Sequence, residues 1–419
     1  MDRVMSGNKS AVCHIDANYF YAQIEALYRP KLRGTAFIVG GDQESRKGIV
    51  LTKSPQAKKS GVKTGTSIKE ALKICPSATV IPANYPLYLH FSHRMREIVL
   101  QHTDTIKPFG SDEMWVQLYG DKAEVRKTVE DIRQAIWRQL CMTVSIGVGD
   151  NLPYAKIGSD LAPDDGVFEL WNEEREQKVY PLPISDLLYI GPSTNDRLQM
   201  FGIRTIGDLV ETGPERICQI LRSKTGESLW TMACGQDRTT VTHIDSVDDV
   251  KSIGNSNTMP RDLINEEDVC AAFYMLGESV AQRMRENGFE ATTLKISVRD
   301  NELASFERQV KLQRPTNLTA EMVPAAMELF IRHYRWNKPV RSLGLRGTDL
   351  VPEGSIYQLP LFDDENKRRK YTEMERCADR IRGQYGLASV QRAVLIRERL
   401  KSVNANNDIG DAQTFYVYN

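Results

Sequence analysis

The sequence predicts a multidomain α+β protein whose first domain contains a ferredoxin-like sheet, and three observations lead to this fold class. A chain of 419 residues is too long for one compact core, so two to four domains are expected. Up to residue 162, the predicted elements follow the order strand, insertion, two strands, helix, strand, which is typical of a split βαβ sheet. From about residue 182, short helices broken by glycine follow, and residues 251–351 mix strand-like alternation with amphipathic helices.

The composition excludes several classes of protein. The chain is 41% hydrophobic, no apolar run approaches membrane-spanning length, and its start lacks the apolar core of a signal peptide. Lys and Arg balance Asp and Glu at 55 each, so any basic surface must be local. The seven cysteines are scattered singly, which argues against a zinc site or a disulfide framework. We therefore expect a soluble protein of the reducing cytoplasm with no membrane partner.

The first predicted elements are a short buried strand and a helix. AVCHID (11–16) predicts the strand, and NYFYAQIEAL predicts the helix that follows at once. Two further strands, at 33–41 and 47–53, are joined by a polar turn. A second helix is predicted at 67–76, where a capping box precedes an apolar run that a proline ends.

A predicted hairpin comes next in the chain. Residues 104–109 and 114–120 predict its two strands, and residues 122–140 place apolar side chains on one helical face. A strand at 142–149 and a helix at 151–162 complete this first domain.

Two acidic residues, Asp112 and Glu113, lie side by side where the two hairpin strands meet. Neighbouring side chains in a regular strand point to opposite faces, but at a sharp turn they can share one site. Carboxylates that share a site usually need a cation, and Asp16, at the end of its strand, is placed beside this hairpin by the predicted sheet. A solvated hairpin tip is the alternative, since Ser, Asp and Gly are common turn residues.

A helix-hairpin-helix module is predicted at 187–209, where two short helical stretches are broken by Gly191-Pro192 and by Gly202. The tight turn would bring backbone N–H groups to a DNA phosphate, whereas an ordinary helical hairpin is the alternative. Residues 241–250 are acidic and extended, as suits a linker.

The region from 251 to 351 is predicted to be a separate α+β domain that binds DNA through one strand face. The basic residues predicted to line that face are Lys295, Arg299, Lys311 and Arg314.

Five stretches sit in the order and at the spacing of one enzyme family, namely HIDANYFYAQIE (14–25), GVKTGTSIKEA (61–71), FGSDE (109–113), SIGVGDNLPYAKIGSD (145–160) and KSIG (251–254). They resemble the Y-family translesion DNA polymerases, and the match covers roughly residues 11–351. The resemblance implies the domains that this family shares. They are a ferredoxin-like palm (1–22 and 80–170) with inserted fingers (23–79), a helix-hairpin-helix thumb (171–240), a linker (241–250), an α+β little finger (251–351), and a clamp-binding motif with a basic tail (352–419).

The resemblance also implies two-metal nucleotidyl transfer to a primer 3′-hydroxyl. Two Mg²⁺ ions, ~3.5–4 Å apart, stabilise the attacking and leaving oxygens in such reactions. By resemblance, Asp16 and Asp112 bridge the ions and Glu113 holds the ion that activates the hydroxyl. The carbonyl of Ala17 would add a backbone ligand. Tyr21 stands at the family's steric-gate position, where a ring excludes the 2′-hydroxyl of a ribonucleotide; ordinary packing is the alternative.

The contacts to the nucleotide triphosphate depart from the family's pattern. Where the family usually has a tyrosine and an arginine, this chain has Pro55 and Lys58, and Pro163 replaces a lysine. A lysine neutralises phosphate as a point charge, without the planar fork of arginine. By resemblance, Thr52 and Lys156 complete the contacts, although a solvated helix lysine is the alternative for Lys156.

The C-terminal region resembles the tail of family members from Gram-positive bacteria and their phages. Its residues Gln358, Leu359, Leu361 and Phe362 match the clamp-binding peptide of bacterial DNA polymerases, and folding back onto their own domain is the alternative. Residues 366–401 carry 11 basic and 4 acidic side chains, which predicts either a solvated face or an arm that binds the DNA backbone. A helix is predicted within residues 373–386.

Together these features predict a DNA-directed DNA polymerase that extends a primer on damaged template. It would bind primer-template DNA and use dNTPs and two Mg²⁺ ions, and it would lack proofreading. It would be tethered to the bacterial sliding clamp, and accessory SOS subunits are further candidate partners. Two alternatives stay open. One is a catalytically weak or inactive protein that binds the clamp and DNA, and the other is a palm-type nucleotidyl cyclase.

Overall fold

The structure is a computed structural model that describes residues 10–41, 48–244, 246, 250–357, 365–386 and 389–397. It confirms the predicted fold class, because three separate sheets are accompanied by helices along the chain. No helix among these residues is both long enough and apolar enough to cross a membrane.

The strands of the described residues are short in the first half of the chain and long in the second. In chain order they are β1 (Ser10–Ala17), β2 (Phe37–Gly40), β3 (Val50–Lys53), β4 (Thr79–Pro82), β5 (Ile106–Phe109), β6 (Glu113–Tyr119), β7 (Val144–Gly149), β8 (Val167–Leu170), β9 (Ser252–Leu263), β10 (Phe289–Asp300), β11 (Ser305–Thr316) and β12 (Val340–Pro352).

The α-helices of the described residues are, in chain order, α1 (Phe20–Tyr28), α2 (Pro55–Lys59), α3 (Ile68–Ile74), α4 (Tyr85–Leu100), α5 (Lys122–Leu140), α6 (Leu152–Leu161), α7 (Arg175–Lys178), α8 (Pro192–Gln199), α9 (Ile206–Thr212), α10 (Pro214–Leu221), α11 (Thr225–Ala233), α12 (Glu266–Glu286), α13 (Thr319–His333), α14 (Glu365–Tyr385) and α15 (Ala393–Arg397). Among the described residues, helices α1 to α6 are interspersed among strands β1 to β8, and α7 to α11 form a run between β8 and β9. Short 3₁₀ turns lie at Pro30–Leu32, Asn172–Glu174 and Ile184–Asp186.

The first sheet has the strand order β5-β6-β1-β7-β8, and its first four strands follow the ferredoxin-like arrangement. β1 lies in the middle and pairs antiparallel with both β6 and β7, whereas β8 adds a parallel edge. The apolar face of α5 (Val125, Val129, Ile132, Ile136 and Leu140) joins the core that buries Ile15. The opposite side of the sheet is covered by α6.

Helix α6 lies unusually close to the sheet, and Gly147 on β7 makes this approach possible. A Cβ atom at Gly147 would lie 2.0 Å from the carbonyl oxygen of Ala155 and 2.2 Å from the amide nitrogen of Ser159. Because only glycine fits there, the side chains of α6 reach the strands directly. This contact places Lys156 and Ser159 over β1.

Two smaller units follow, one inserted into this domain and one after it. The segment between α1 and α4 forms a three-stranded sheet of order β3-β2-β4 with its own core around Ile38, Val50 and Ile68. Helices α8 to α11 pack around a core that includes Leu198, Ile206 and Leu229.

The last sheet, of order β11-β10-β12-β9, has α12 and α13 packed against one face. Leu294, Ile296 and Val298 of β10 are buried, as the alternating pattern of the strand predicts. The domain boundaries given above stay predictions.

Candidate active site

Strand pairing brings the predicted carboxylates together at the end of β1. Asp16 is directly opposite Glu113 in the antiparallel β1–β6 ladder, so their side chains lie on the same face of the sheet. Asp112 lies in the turn between β5 and β6, and the amide of Ala17 donates a 2.9 Å hydrogen bond to its carbonyl. The turn is therefore fixed against the strand that carries Asp16.

The electrostatics of this group suit a divalent cation. Burial, followed by the charges of Asp16 and Glu113, raises the pKa of Asp112 to about 7. Burial also raises the pKa of Asp16, with Lys156 acting in the opposite direction. Three carboxylates that repel one another in a part-buried site form a donor set that fits Mg²⁺, which is usually held by a few carboxylates and by phosphate oxygens.

Lys156 lies among these carboxylates. Its Nζ is 3.2 Å from Asp16 Oδ2, 3.1 Å from Glu113 Oε2 and 3.2 Å from Asp160 Oδ1. Burial alone would lower the pKa of Lys156, but the charges of Glu113 and Asp16 outweigh it and raise the pKa. Lys156 therefore acts as a counter-ion to the cluster and is not a solvated helix lysine. Its predicted contact with the triphosphate stays a prediction.

His14 contacts this cluster, and Ser159 contacts His14. The sequence reasoning missed both residues. His14 is fully buried, and its Nε2 lies 3.3 Å from Glu113 Oε2. Its Nδ1 is 2.8 Å from the hydroxyl oxygen of Ser159. Burial would raise the pKa of Glu113, but the neighbouring His14 and Lys156 outweigh it and lower this pKa. The period of two along β1 puts His14 on the face of Asp16 and could have revealed it.

The predicted gate residue Tyr21 borders the acidic turn. Its ring stacks on Tyr88 with centroids 4.2 Å apart and an interplanar angle of 16°. Its hydroxyl lies 3.2 Å from Ser111 Oγ. Tyr21, Tyr88, Ser111 and Asp112 are among the residues that line a cleft of about 250 Å³. A cleft bounded by the ring of Tyr21 and the carboxylate of Asp112, a predicted metal ligand, suits the sugar of a nucleotide.

The side chain of Tyr88 was also missed, because nothing in its local sequence distinguishes it from other core aromatics. It is 1% exposed, and its hydroxyl donates a 2.6 Å hydrogen bond to the buried carboxylate of Glu25. Arg29 pairs with the same carboxylate at 3.1 Å. This network fixes the ring on which Tyr21 stacks.

The predicted triphosphate contacts lie in the three-stranded sheet and its following helix. Thr52 is half-buried on β3, and Pro55 is the first residue of α2. The exposed Lys58 lies over the ring of Tyr19, with Nζ 5.1 Å from the ring centroid. Since Tyr19 directly precedes α1, Lys58 is held near the end of β1. The contacts of Thr52 and Lys58 with the substrate stay predictions.

The predicted DNA contacts lie in two other parts of the chain. Gly191 immediately precedes α8, where a helix N-terminus presents free N–H groups. Lys295 and Arg299 lie on one face of β10, and the register places Lys311 on the same face of β11. Arg314 is three positions after Lys311 and lies on the other face of β11. It pairs with Glu321 and Glu365 instead.

The predicted clamp-binding residues Gln358, Leu359, Leu361 and Phe362 lie outside the described residues. Part of the basic stretch that follows them packs with α14 against the last sheet domain, whereas Lys367, Arg369 and Lys370 are exposed, as in a solvated face. Arg368 pairs with Glu290 and Glu321, and Arg382 pairs with Glu278. These arginines are therefore engaged within the protein.

Comparison with known proteins gives matches over most of this chain. Residues 15–160 match the impB/mucB/samB family, and residues 250–361 match the C-terminal domain of that family. The chain is 41% identical to DNA polymerase IV of Acetivibrio thermocellus, over 93% of this chain and 98% of that protein. It is 31% identical to DNA polymerase IV 1 of Bacillus subtilis, over 96% of this chain and 98% of that protein.

Solved structures give a similar result for the fold. The structure resembles a Y-family DNA polymerase chimera with a TM-score of 0.70 and 22% sequence identity, over 82% of this chain and 100% of that chain. It also resembles an insertion ternary complex of Dbh DNA polymerase, with a TM-score of 0.58 and 21% identity over the same shares of the two chains.

Proposed function

The chain belongs to the impB/mucB/samB family, the Y-family DNA polymerases of translesion synthesis, and we propose that it joins dNTPs to a primer 3′-hydroxyl by two-metal nucleotidyl transfer. We propose further that the polymerase works in the bacterial cytoplasm, without proofreading, and is tethered to the sliding clamp. Accessory SOS subunits are further candidate partners.

One observation carries the proposed mechanism: Asp16, Asp112 and Glu113 converge although almost a hundred residues separate the first from the others. When bound there, two Mg²⁺ ions would lower the energy of the negative charge that develops on the attacking and leaving oxygens. Asp16, Asp112, Glu113 and the carbonyl of Ala17 would hold these ions.

The residues around the carboxylates would bind and orient the nucleotide. Tyr21, held by Tyr88, forms the wall against which the sugar would lie, so that a 2′-hydroxyl meets the ring. Lys58, Lys156 and Thr52 would contact the triphosphate. Because Pro55 offers no donor, the grip on the phosphates would depend on point charges more than on hydrogen-bond geometry.

DNA would be held along two surfaces away from the carboxylates. The amides at Gly191 would contact one phosphate, and Lys295, Arg299 and Lys311 would follow the backbone along one sheet face. Tethering through Gln358, Leu359, Leu361 and Phe362 would raise the local concentration of primer ends and so offset a weak grip on DNA.

Primer extension with dNTPs and Mg²⁺ tests this function. We expect template-dependent extension by the wild type and its loss in Asp112→Ala, whereas Asp131→Ala, which removes an exposed carboxylate on α5, should extend as the wild type does. DNA binding without synthesis would favour the inactive clamp- and DNA-binding protein. A cyclised nucleotide formed without template would favour the cyclase.

A further inference from the structure

His14 is a fully buried imidazole whose place between the sheet and α6 leads directly to the carboxylate cluster. It lies on β1 two residues before Asp16, so the two side chains share a face of the strand. Its ring packs edge-on against Trp115 with centroids 4.9 Å apart. The ring orientation is therefore set by packing as well as by polar contacts.

The hydrogen bonds around Ser159 assign the tautomer of His14. The hydroxyl of Ser159 donates a 2.8 Å hydrogen bond to the carbonyl of Lys156. Its only hydrogen is thus engaged, and the oxygen accepts from His14 Nδ1 at 2.8 Å. Nδ1 therefore carries a proton, which leaves a lone pair on Nε2 when the ring is neutral.

The Nε2 atom of His14 has no hydrogen-bond partner among the described residues, and it is aimed at the carboxylates. It lies 3.3 Å from Glu113 Oε2, the oxygen with which a protonated Nε2 would form an ion pair. Ligand atoms of His14, Asp16 and Glu113 all lie within 4.8 Å of one another. Two ligands at right angles on an ion with bonds of ~2.1 Å lie ~3 Å apart, which is close to the 3.3 Å between His14 Nε2 and Glu113 Oε2.

We propose that His14 Nε2 is a further protein ligand of a divalent cation held by Asp16 and Glu113, with Ser159 as the residue that orients the ring. The proposal rests on the proposed function, since it concerns the same carboxylates. A metal-bound histidine typically donates its other ring N–H to an oxygen, and Ser159 supplies that oxygen. Lys156, which contacts the same Glu113 oxygen, would give up that contact to the cation.

A nitrogen ligand in this site would be visible to a spectroscopic probe. Mn²⁺ is paramagnetic, and pulsed electron paramagnetic resonance detects nitrogen atoms bonded directly to it. We expect nitrogen hyperfine coupling when Mn²⁺ alone is added to the full-length wild-type chain. A competing arrangement, in which a ring protonated on both nitrogens pairs with Glu113, gives no such coupling.

Three variants separate ligation from packing. His14→Phe keeps an aromatic ring against Trp115, and His14→Asn keeps a donor near the Nδ1 position; both lack the atom at Nε2 and should lose the coupling. Ser159→Ala should keep the coupling but bind Mn²⁺ roughly tenfold more weakly, as is typical for loss of a residue that orients a ligand. Thermal unfolding checks that each variant is folded.

The wild-type spectrum decides the proposal even if a His14 variant fails to fold. Bound Mn²⁺ without nitrogen coupling overturns it, and so does a wild-type chain that binds no Mn²⁺. Coupling that persists in folded His14→Phe and His14→Asn also overturns it, since another nitrogen would be the ligand. The proposed polymerase function is judged separately, by Mg²⁺-dependent primer extension and its loss in Asp112→Ala.

Discussion

At the scale of single residues, Tyr21 is held by two contacts of different kinds. The stack on Tyr88 fixes the plane of the ring, and the hydroxyl contact with Ser111 ties it to the residue before Asp112. Burial also raises the pKa of Tyr21, so the hydroxyl remains protonated at neutral pH. The ring is thus fixed relative to the carboxylates, as a sugar-excluding wall requires.

Replacing Tyr21 by alanine should therefore weaken the exclusion of ribonucleotides. The ring that meets the 2′-hydroxyl would be absent, and a steric contact of this kind is worth ~1–3 kcal/mol, or about 10–200-fold in discrimination. Single-nucleotide insertion, measured as kcat/KM for a dNTP and for the matching rNTP, checks this ratio. Tyr21→Phe is the matched control, because it keeps the ring and loses only the contact with Ser111. Equal ratios in Tyr21→Ala and wild type would contradict the assigned role.

At the scale of elements, helix α6 and strand β7 are joined by a backbone contact that a single methyl group would disrupt. The Cβ of an alanine at position 147 would lie 2.0 Å from the Ala155 oxygen, far inside van der Waals distance. Side chains of α6 reach β1 only because of this contact, and Lys156 is one of them.

Gly147→Ala should lower both the stability and the rate of primer extension. We expect a loss of about 1–3 kcal/mol in the free energy of unfolding, the usual range for overpacking, together with slower extension because Lys156 moves away from Asp16 and Glu113. Denaturant unfolding and primer extension measure the two effects. Gly383→Ala is the control, since a Cβ there meets nothing within 4 Å. A fully active, fully stable Gly147→Ala variant would disprove the packing argument.

Helix α13 begins without a cap from its own sequence, and α14 supplies one. Leu318, at its N-cap, has no side chain that can accept a hydrogen bond. The amides of Thr319 and Ala320 donate to the carboxylate of Glu375 at 3.0 Å and 3.2 Å. Glu375 is buried and also pairs with Arg285 at 2.8 Å. The C-terminal helix is therefore a structural part of the last sheet domain.

Removing the carboxylate in Glu375→Ala should open the first turn of α13. The change leaves two N–H groups without their acceptor, a loss of about 1–3 kcal/mol for each group, whereas Arg285 keeps its pair with Asp379. Amide hydrogen exchange at Thr319 and Ala320 should become at least ~100-fold faster, since each factor of ten corresponds to about 1.4 kcal/mol. Exposed Glu373 provides the control, and Glu373→Ala should leave the exchange rates unchanged. Unchanged exchange in Glu375→Ala would show that α13 is capped in another way.

At the scale of the whole molecule, the predicted clamp peptide lies between two anchored segments. Tyr357, directly before it, accepts a 2.8 Å hydrogen bond from Arg368, and Glu365, after it, pairs with Arg314 at 2.6 Å. A clamp bound to this peptide would thus be joined to the domain that carries Lys295 and Lys311. Binding of the clamp would add affinity for primer ends without a new contact at Asp16, Asp112 or Glu113.

Leu361→Ala combined with Phe362→Ala should abolish stimulation by the clamp and leave basal extension unchanged. These two apolar side chains would fill the pocket of the partner, whereas the anchors on either side are retained. Primer extension with and without the clamp measures the effect. Asp363→Ala with Asp364→Ala, in the same segment, should still respond to the clamp. A double Leu361/Phe362 variant that the clamp stimulates fully would exclude this tether.

The sequence by itself determined the fold class and the strand and hairpin that carry Asp16, Asp112 and Glu113. Both depend on short-range signals. The short apolar run in AVCHID marks a buried strand that leads to Asp16, and the turn residues before Asp112 mark the hairpin. The family motifs then indicated that these two distant segments belong to one domain. The fold class predicted from the motifs and the element pattern is confirmed.

Only the tertiary structure decided which other side chains share the site. His14 and Ser159 are 145 residues apart, and their contact exists because Gly147 lets α6 lie on the sheet. The basic tail likewise looked free in sequence, yet Arg368 and Arg382 face carboxylates of α12, α13 and β10. Charge and hydropathy along a chain give each residue's local preference. The partners of a residue are set by how distant elements pack against one another, and no local pattern encodes that packing.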